Sequence, residues 1–181
     1  MKAIVVGIAL ATVALAQQEK SAVDIPNSAI QQTLKKTAGA AVSDTAMKIV
    51  GIDNEYNVEV AIVHRANTHG RAKSGAIDHS DLTEVYHVIS GTGTMVTEGK
   101  MTNEQPLDPN GNTVKVLAGP GHNGDGIEGG VSRHMGPGDI IVIPPKIGHW
   151  FSEIDSAEIV YMVVRIDPHK VLPAGYGIDK K

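Results

Sequence analysis

One stretch of the chain, residues 138–151, limits the possible fold more than any other. It opens with Gly138, which permits the backbone angles of a tight turn, and continues with Ile140–Ile143, a β-branched run too short for a helix. The two prolines that follow cannot donate to a strand ladder, so they end this run. The pattern predicts a buried strand, then a second short strand over residues 149–153 that begins with His149. A histidine in that position can line a cavity.

The composition predicts a single, mainly β domain. The chain has 181 residues, 41% of them hydrophobic, which is enough for one sizeable core. Twenty glycines and nine prolines, against one Trp, four Tyr and one Phe, favour many short strands over long helices. A formal net charge of -4 gives no field that attracts nucleic acid, and the absence of cysteine excludes a disulfide framework.

The amino terminus, residues 1–16, has the layout of a secretory signal peptide. Lys2 precedes an apolar run that ends at a small-residue site, and we expect cleavage after Ala16. The run is shorter than the ~20 residues that span a bilayer, which disfavours an uncleaved anchor. We therefore expect a periplasmic or secreted bacterial protein that has no membrane contact after cleavage.

We expect residues 17–46 to form a leader and a short helix. Ser28 and Gln31 have the spacing of a capping box, and Ile30 and Leu34 fall on one helical stripe. The sequence therefore predicts that one apolar helix face packs on the domain that follows.

We expect residues 47–166 to form the strand-rich domain and residues 167–181 to form a C-terminal surface arm. Within the domain, residues 84–90 and 94–97 flank a Gly-Thr-Gly turn and predict a hairpin. No helix pattern follows this turn, so it is not a phosphate-binding loop. The glycine- and proline-rich segment that follows predicts a long loop, interrupted by a small strand at residues 113–117.

Two motifs resemble those of the cupin superfamily. His79, four intervening residues, Glu84, six more and Gly91 fit the second half of the first cupin motif. Gly138 and His149, with Pro144 between them, keep the spacing of the second motif. The resemblance implies an all-β fold, a cupin-type double-stranded β-helix (jelly-roll) barrel with the short N-terminal helix. More narrowly, the chain is similar to small exported single-domain cupins of undefined activity. Those proteins carry a Val-Tyr pair after the acidic residue and an Ile-Glu-Gly-Gly stretch before the second motif. In this chain they are Val85-Tyr86 and residues 127–130.

Three positions depart from the cupin motifs. Ile77 stands where the family has the first histidine of a pair, and this change removes one of four usual metal ligands. Lys146 replaces the glycine of the second motif, and Glu153 stands where an asparagine is frequent. These two changes affect a turn and the rim of the cavity.

The residues His79, Glu84 and His149 are our candidate metal ligands. Two imidazoles and one carboxylate suit one divalent ion, with Fe, Mn, Ni and Zn not distinguished. The alternative is a metal-free barrel in which these histidines form hydrogen bonds inside a polar cavity. Tyr86 shares the inward parity of Glu84, so it is a candidate catalytic acid or base, or else a packed core residue.

The remaining candidates follow from strand parity. His64 has inward parity by its phase with Val58 and is a reserve ligand, whereas His87 has outward parity. Phe151, in phase with His149, is a candidate for the apolar wall of the cavity. The other four histidines lie in or beside loops, where a solvated role is expected: His69, His122, His134 and His169.

The sequence thus predicts an exported, single-domain, metal-binding cupin that acts on a small polar molecule. The resemblance leans towards a metal-dependent enzyme, and oxygenase, isomerase and lyase chemistry all occur in the family. The alternative is a non-catalytic barrel that binds a sugar or another small molecule without metal. The expected partner is a small-molecule ligand or substrate, nucleic acid is not expected, and the resemblance leaves a homodimer open.

Overall fold

A computed structural model describes residues 21–67 and 75–178 of the protein. The predicted signal peptide, residues 1–16, and His69 lie outside the described residues. The described part contains one α-helix, α1 (Asn27–Thr37), and thirteen strands. The strands are β1 (Val42–Ile52), β2 (Tyr56–Ala66), β3 (Ala76–Ile77), β4 (Thr83–Ser90), β5 (Gly93–Thr97), β6 (Lys100–Thr102), β7 (Gln105–Pro106), β8 (His122–Gly124), β9 (Gly126–Glu128), β10 (Val131–Met135), β11 (Ile140–Ile143), β12 (His149–Ile154) and β13 (Glu158–Asp167).

The strands form two main antiparallel sheets. The first sheet has the order β1-β2-β13-β4-β11, and the second has the order β10-β5-β12-β3-β8-β7. Consecutive strands alternate between them: β11 lies in the first sheet, β12 in the second and β13 in the first. Two sheets joined by such alternation are a double-stranded β-helix, so the predicted all-β jelly-roll fold with a short N-terminal helix is confirmed.

The main core lies between the two sheets. Tyr86 of the first sheet stacks on Tyr161 with ring centroids 4.7 Å apart, and Phe151 of the second sheet lies 5.4 Å from Tyr161. Phe151 is buried in this cluster, as its parity predicts. The rest of the cluster is aliphatic or thioether: Ala61, Val63, Val88, Met95, Met135, Ile143, Ile159 and Val163.

Helix α1 packs on the outer face of the first sheet. Ile30 and Leu34 contact a buried group that includes Met47 and Ile62, which confirms the predicted apolar stripe. The predicted capping box is wrong, because the helix begins one residue before Ser28 and has no side-chain cap. Pro26 is the N-cap residue in an extended conformation, and its carbonyl accepts the Ala29 amide hydrogen at 2.9 Å.

The predicted hairpin between β4 and β5 is wrong. β4 pairs with β13 and β11, whereas β5 pairs with β10 and β12 in the other sheet. The Gly-Thr-Gly turn is therefore a corner between sheets. Gly91 has φ +78°, and a Cβ there would lie 1.9 Å from the Glu158 carbonyl oxygen, so the corner requires glycine.

Strand β11 is only half-buried, contrary to the prediction of a buried strand. Ile143 is buried, but Ile140 is 64% exposed and Val142 is 59% exposed. Alternate residues of a strand face opposite sides of the sheet, and in β11, at the edge of the first sheet, Ile140 and Val142 are on the side away from the core. A β-branched run in the sequence does not show whether its strand will lie at the edge or in the middle of a sheet.

Two other segments differ from expectation. The predicted strand at 113–117 is a π-helix, Thr113–Ala118. The predicted surface arm is packed: Asp167 and Leu172 are buried, and the Asp167 carboxylate accepts the Leu172 amide hydrogen at 2.8 Å. By accepting this hydrogen bond, the Asp167 carboxylate holds the segment after β13 against the barrel. Within residues 21–67 and 75–178, no helix has the length and apolar character needed to cross a membrane.

Candidate metal centre

Three elements bring the predicted ligands into the barrel. His79 follows β3, Glu84 lies in β4 and His149 begins β12. All three are buried, with exposures of 4%, 0% and 3%, respectively. The Lys146 amide donates to the His79 carbonyl at 2.7 Å, so the turn before β12 is fixed against the loop after β3. Lys146 adopts φ +66°, the left-handed backbone for which the motif has glycine.

The three side chains converge on one point. His79 Nε2 lies 3.3 Å from Glu84 Oε2, and His149 Nε2 lies 3.1 Å from the same oxygen. The two imidazole centroids are 5.3 Å apart. One ligand atom from each residue lies within 4.8 Å of the others. The structure thus brings together His79, Glu84 and His149, as their spacing predicts.

The protonation of His149 favours a cation at this point. Its Nδ1 lies 3.0 Å from the Ile147 carbonyl oxygen, and because a carbonyl only accepts, Nδ1 carries the hydrogen. In a neutral ring the lone pair is then on Nε2, which is buried and lies 3.1 Å from Glu84 Oε2. Two facing lone pairs repel each other unless a proton or a metal ion lies between them.

The second imidazole also has a buried nitrogen without a partner, His79 Nδ1. Buried polar atoms are rarely left unpaired, because the loss of water costs about 1–3 kcal/mol per group. Neutral imidazole nitrogens and a carboxylate oxygen are the ligands that Fe, Mn, Ni and Zn accept. The residues present therefore fit a divalent transition metal.

Both oxygens of Glu84 have hydrogen-bond donors. Arg165 Nε donates to Oε1 at 2.8 Å, and the Tyr86 hydroxyl donates to Oε2 at 3.0 Å. Burial alone would raise the pKa of the Glu84 carboxyl, but the electrostatic interactions with His79 and with the Arg165 guanidinium outweigh burial and hold this pKa well below its usual range. Glu84 is therefore a carboxylate, the form that binds a cation.

Tyr86 lies beside this carboxylate and is also part of the core. Burial, and after it the negative charge of Glu84, raises the pKa of the Tyr86 hydroxyl well above its usual value. Its ring is nearly perpendicular to that of His149, with centroids 5.9 Å apart. The phenol therefore stays protonated, the form that donates a hydrogen bond. A catalytic role for Tyr86 stays a prediction.

The sequence reasoning missed Arg165 and its two further carboxylate partners, Asp44 and Glu59. Arg165 is buried in β13 and donates through NH1 to Glu59 Oε1 at 2.9 Å and through NH2 to Asp44. Burial raises the pKa of Glu59 to about 8, against the lowering effect of Arg165. The signal for this cluster was present, because Arg165 has the same parity as the buried Tyr161 on its strand.

The prediction that His64 faces the cavity is wrong. Its Nε2 lies 2.8 Å from Glu158 Oε2, and Ile62, of the same parity, packs against the helix side. The other parity, which includes Ala61 and Val63, faces the barrel interior. Both faces of β2 are covered, one by α1 and one by the second sheet, so hydrophobic alternation does not tell them apart.

The other described histidines lie outside the group formed by His79, Glu84 and His149. His87 faces the opposite side of β4 from Glu84, as predicted. His122 Nδ1 lies 3.2 Å from Asp78, and His134 Nε2 lies 2.9 Å from Asp155. His169 is exposed, in agreement with its expected solvated role.

Comparisons with known proteins give a likeness in fold. No family model and no curated protein matches the chain. Among solved structures, the chain is similar to DMSP lyase DddQ from Ruegeria pomeroyi, with 14% identity, 75% of this chain and 54% of that chain covered, and a TM-score of 0.45. It is similar to an oxalate oxidase, with 19% identity, 75% and 54% covered, and a TM-score of 0.45. It is also similar to a cupin-like protein from Thermotoga maritima, with 16% identity, 73% and 72% covered, and a TM-score of 0.42.

The chain resembles cupins in its motifs and in its fold. It spans about half the length (54%) of the lyase and oxidase chains that it matches. At these identities the likeness concerns the fold alone, and the activities belong to those proteins. What the site of this chain does is argued from its own residues.

Proposed function

We propose that the protein is a small single-domain cupin that binds one divalent transition metal through His79, Glu84 and His149 and acts on a small polar molecule. The observation that carries the proposal is the convergence of two buried imidazole nitrogens on one carboxylate oxygen: His79 Nε2 and His149 Nε2 lie 3.3 and 3.1 Å from Glu84 Oε2. A divalent ion at this point would be bound by the carboxylate and the neutral imidazoles together. When bound, such an ion supplies Lewis acidity and open coordination positions for a substrate or water.

The other residues of the site have defined parts in this proposal. Tyr86 holds a proton next to Glu84 Oε2 and is placed to donate it to a substrate atom. Phe151 and Tyr161 form an apolar wall that excludes water. Oxygenase, isomerase and lyase reactions are all compatible with this arrangement, and substrate assays of the metal-loaded protein separate them.

A metal-free barrel that binds a sugar or another small molecule is the second candidate. It is favoured by the two hydrogen bonds from Arg165 and Tyr86, which satisfy both oxygens of Glu84 without an ion. It leaves the buried His149 Nε2 without a partner, which is why we prefer the metal.

Elemental analysis of the natively purified protein tests the proposal. We expect close to one transition metal per chain in the wild type and almost none in His149→Ala, with circular dichroism showing that the fold persists. His134→Ala is the matched control, because this histidine is exposed and pairs with Asp155 away from the site. Equally low metal in all three proteins, after growth with added Fe, Mn, Ni and Zn, would support the metal-free barrel.

Export is a separate proposal, supported by the layout of residues 1–16. We expect the protein to be found in the periplasm or the medium, with an amino terminus at Gln17. Mass spectrometry of the fractionated protein reads this end directly. A chain that keeps Met1 and stays in the cytoplasm would contradict export and leave the metal proposal untouched.

A further inference from the structure

A buried arginine, Arg165, links the candidate metal centre to two carboxylates that contact the arginine but not the candidate ligands. Arg165 of β13 stands directly opposite Glu59 of β2 on one side and Glu84 of β4 on the other. Asp44 of β1 reaches the same guanidinium. Only Glu84, of the three carboxylates, contacts the histidines His79 and His149.

The guanidinium hydrogen-bonds to all three carboxylates, and NH1 is shared between Glu59 and, at 3.4 Å, Asp44 Oδ1. Nε donates to Glu84 at 2.8 Å, NH1 to Glu59 at 2.9 Å and NH2 to Asp44. A planar guanidinium held on three sides cannot rotate, so its bond to Glu84 Oε1 has a fixed direction. That bond occupies Oε1 and leaves Oε2 facing the two imidazoles.

The cluster also has an excess of negative charge. Asp44, Glu59 and Glu84 carry three negative charges when ionised, and Arg165 carries one positive charge, which leaves two negative charges unbalanced. Glu59 and Arg165 are 0% and 2% exposed, so water screens these charges little. One divalent ion beside Glu84 would balance them. At neutral pH the excess is one negative charge, because burial raises the pKa of Glu59 to about 8 and keeps its carboxyl protonated; it reaches two above that pKa.

We propose that Arg165, held by Asp44 and Glu59, is a positioning residue that presents Glu84 to the metal through Oε2, and that this carboxylate cluster raises the affinity of the centre for a divalent cation. The inference rests on the proposed metal binding. Asp44 and Glu59 act by compensating the guanidinium charge. Without that compensation, Arg165 would attract Glu84 more strongly and weaken it as a ligand.

A purely structural role makes a different prediction. Asp44, Glu59 and Arg165 come from three neighbouring strands, so their contacts alone could stabilise the first sheet. In that case, loss of one carboxylate would lower the unfolding temperature, and the folded protein would bind metal as before. Metal affinity and the ligand field of the bound ion are therefore the readouts that separate the two roles.

The test uses Asp44→Asn, which keeps the shape of a side chain that is 25% exposed and does not contact Glu84. The matched control is Glu158→Gln, which removes a carboxylate from β13, the strand of Arg165, at the contact with His64. Co(II) is titrated into the metal-free full-length mature proteins, followed by its visible absorption spectrum, and thermal unfolding is recorded in parallel. We expect Asp44→Asn to weaken Co(II) binding about tenfold and to change the spectrum, because residues that orient a ligand typically contribute 10- to 100-fold. Glu158→Gln should bind like the wild type.

The outcomes are distinct. If the wild type binds Co(II) and a folded Asp44→Asn variant binds it with the same affinity and spectrum, the inference is overturned and the metal site stands. If the wild type binds no Co(II), Fe(II), Mn(II), Ni(II) or Zn(II), the proposed function itself fails. If Asp44→Asn does not fold, Glu59→Gln at pH 8.5 takes its place, with the same expected direction and the same overturning result.

Discussion

Ile77 lies directly opposite His149 in the ladder between β3 and β12. Residues directly opposite in an antiparallel pair place their side chains on the same face. The position where the cupin motif has a further histidine is therefore on the face of a candidate ligand, but it carries a side chain without a lone pair. A three-ligand centre has more open coordination positions and a weaker hold on the metal than a four-ligand one.

The first prediction is that Ile77→His tightens metal binding by supplying the fourth ligand. Parallel Co(II) titrations of wild type, Ile77→His and Ile77→Ala measure this, and the alanine variant controls for loss of the apolar side chain. An activity that needs the extra open position should fall in Ile77→His. Equal affinities in folded wild type and Ile77→His would mean that residue 77 does not face the metal.

The second prediction concerns the hydroxyl of Tyr86. Tyr86→Phe keeps the ring that stacks on Tyr161 and removes only the bond to Glu84 Oε2. We expect near-normal metal content, a stability loss of about 1.5–3 kcal/mol because the bond is to a charged group, and a fall in turnover of about 10²- to 10⁴-fold if Tyr86 is the acid. Metal analysis, urea unfolding and turnover of a substrate found by screening are the measurements. Normal turnover would assign Tyr86 to packing alone.

The third prediction is a pH dependence of stability in the metal-free protein. The pKa of Glu59 is about 8 in the fold against 4.5 as the ordinary value, so between these values the folded protein holds a proton that the unfolded chain lacks. Stability from this group is complete below pH 4.5 and is lost as the pH rises to about 8. The unfolding temperature should therefore fall from pH 5 to pH 8.5.

Glu59→Gln is the control for this pH effect, because its amide cannot ionise and its stability should change less over the same range. Glu84 affects stability in a different pH range. Because its pKa is lowered in the fold, its contribution is lost only as the pH falls below 4.5, the ordinary pKa of a glutamate. Identical pH profiles of wild type and Glu59→Gln would assign the effect to other groups.

The fourth prediction tests the corner at Gly91. Gly91→Ala adds a Cβ 1.9 Å from the Glu158 carbonyl oxygen in a left-handed backbone, so either β4 or β13 must move. We expect a loss of about 3 kcal/mol or more, from left-handed strain together with the clash. Gly129→Ala is the matched control, since it has φ +68° with nothing within 4 Å, and it should lose only about 1–2 kcal/mol. Equal losses in urea unfolding would show that the corner can relax.

The sequence predicted the site well where a motif residue fixed which face of a strand points inward. In β4, alternation placed Glu84 and Tyr86 inside and His87 outside, as the structure has them. The same reasoning failed for His64 because β2 is covered on both faces. Contacts between distant strands could not be predicted from the sequence either, because the contact of Arg165 with Asp44 depends on which strands become neighbours in the sheet.

The position of β13 between β2 and β4 has a consequence for biosynthesis. This strand, the last one within the described residues, separates two strands made much earlier, so the first sheet cannot close before Asp167 has been synthesised. Pairing of such distant segments is slow, because the intervening chain must lose its entropy first. A chain that ends before Glu158 has all three candidate ligands but lacks Arg165, and we expect it to reach neither the closed barrel nor the oriented Glu84. The centre is thus assembled only after β13 has been made and has paired with β2 and β4.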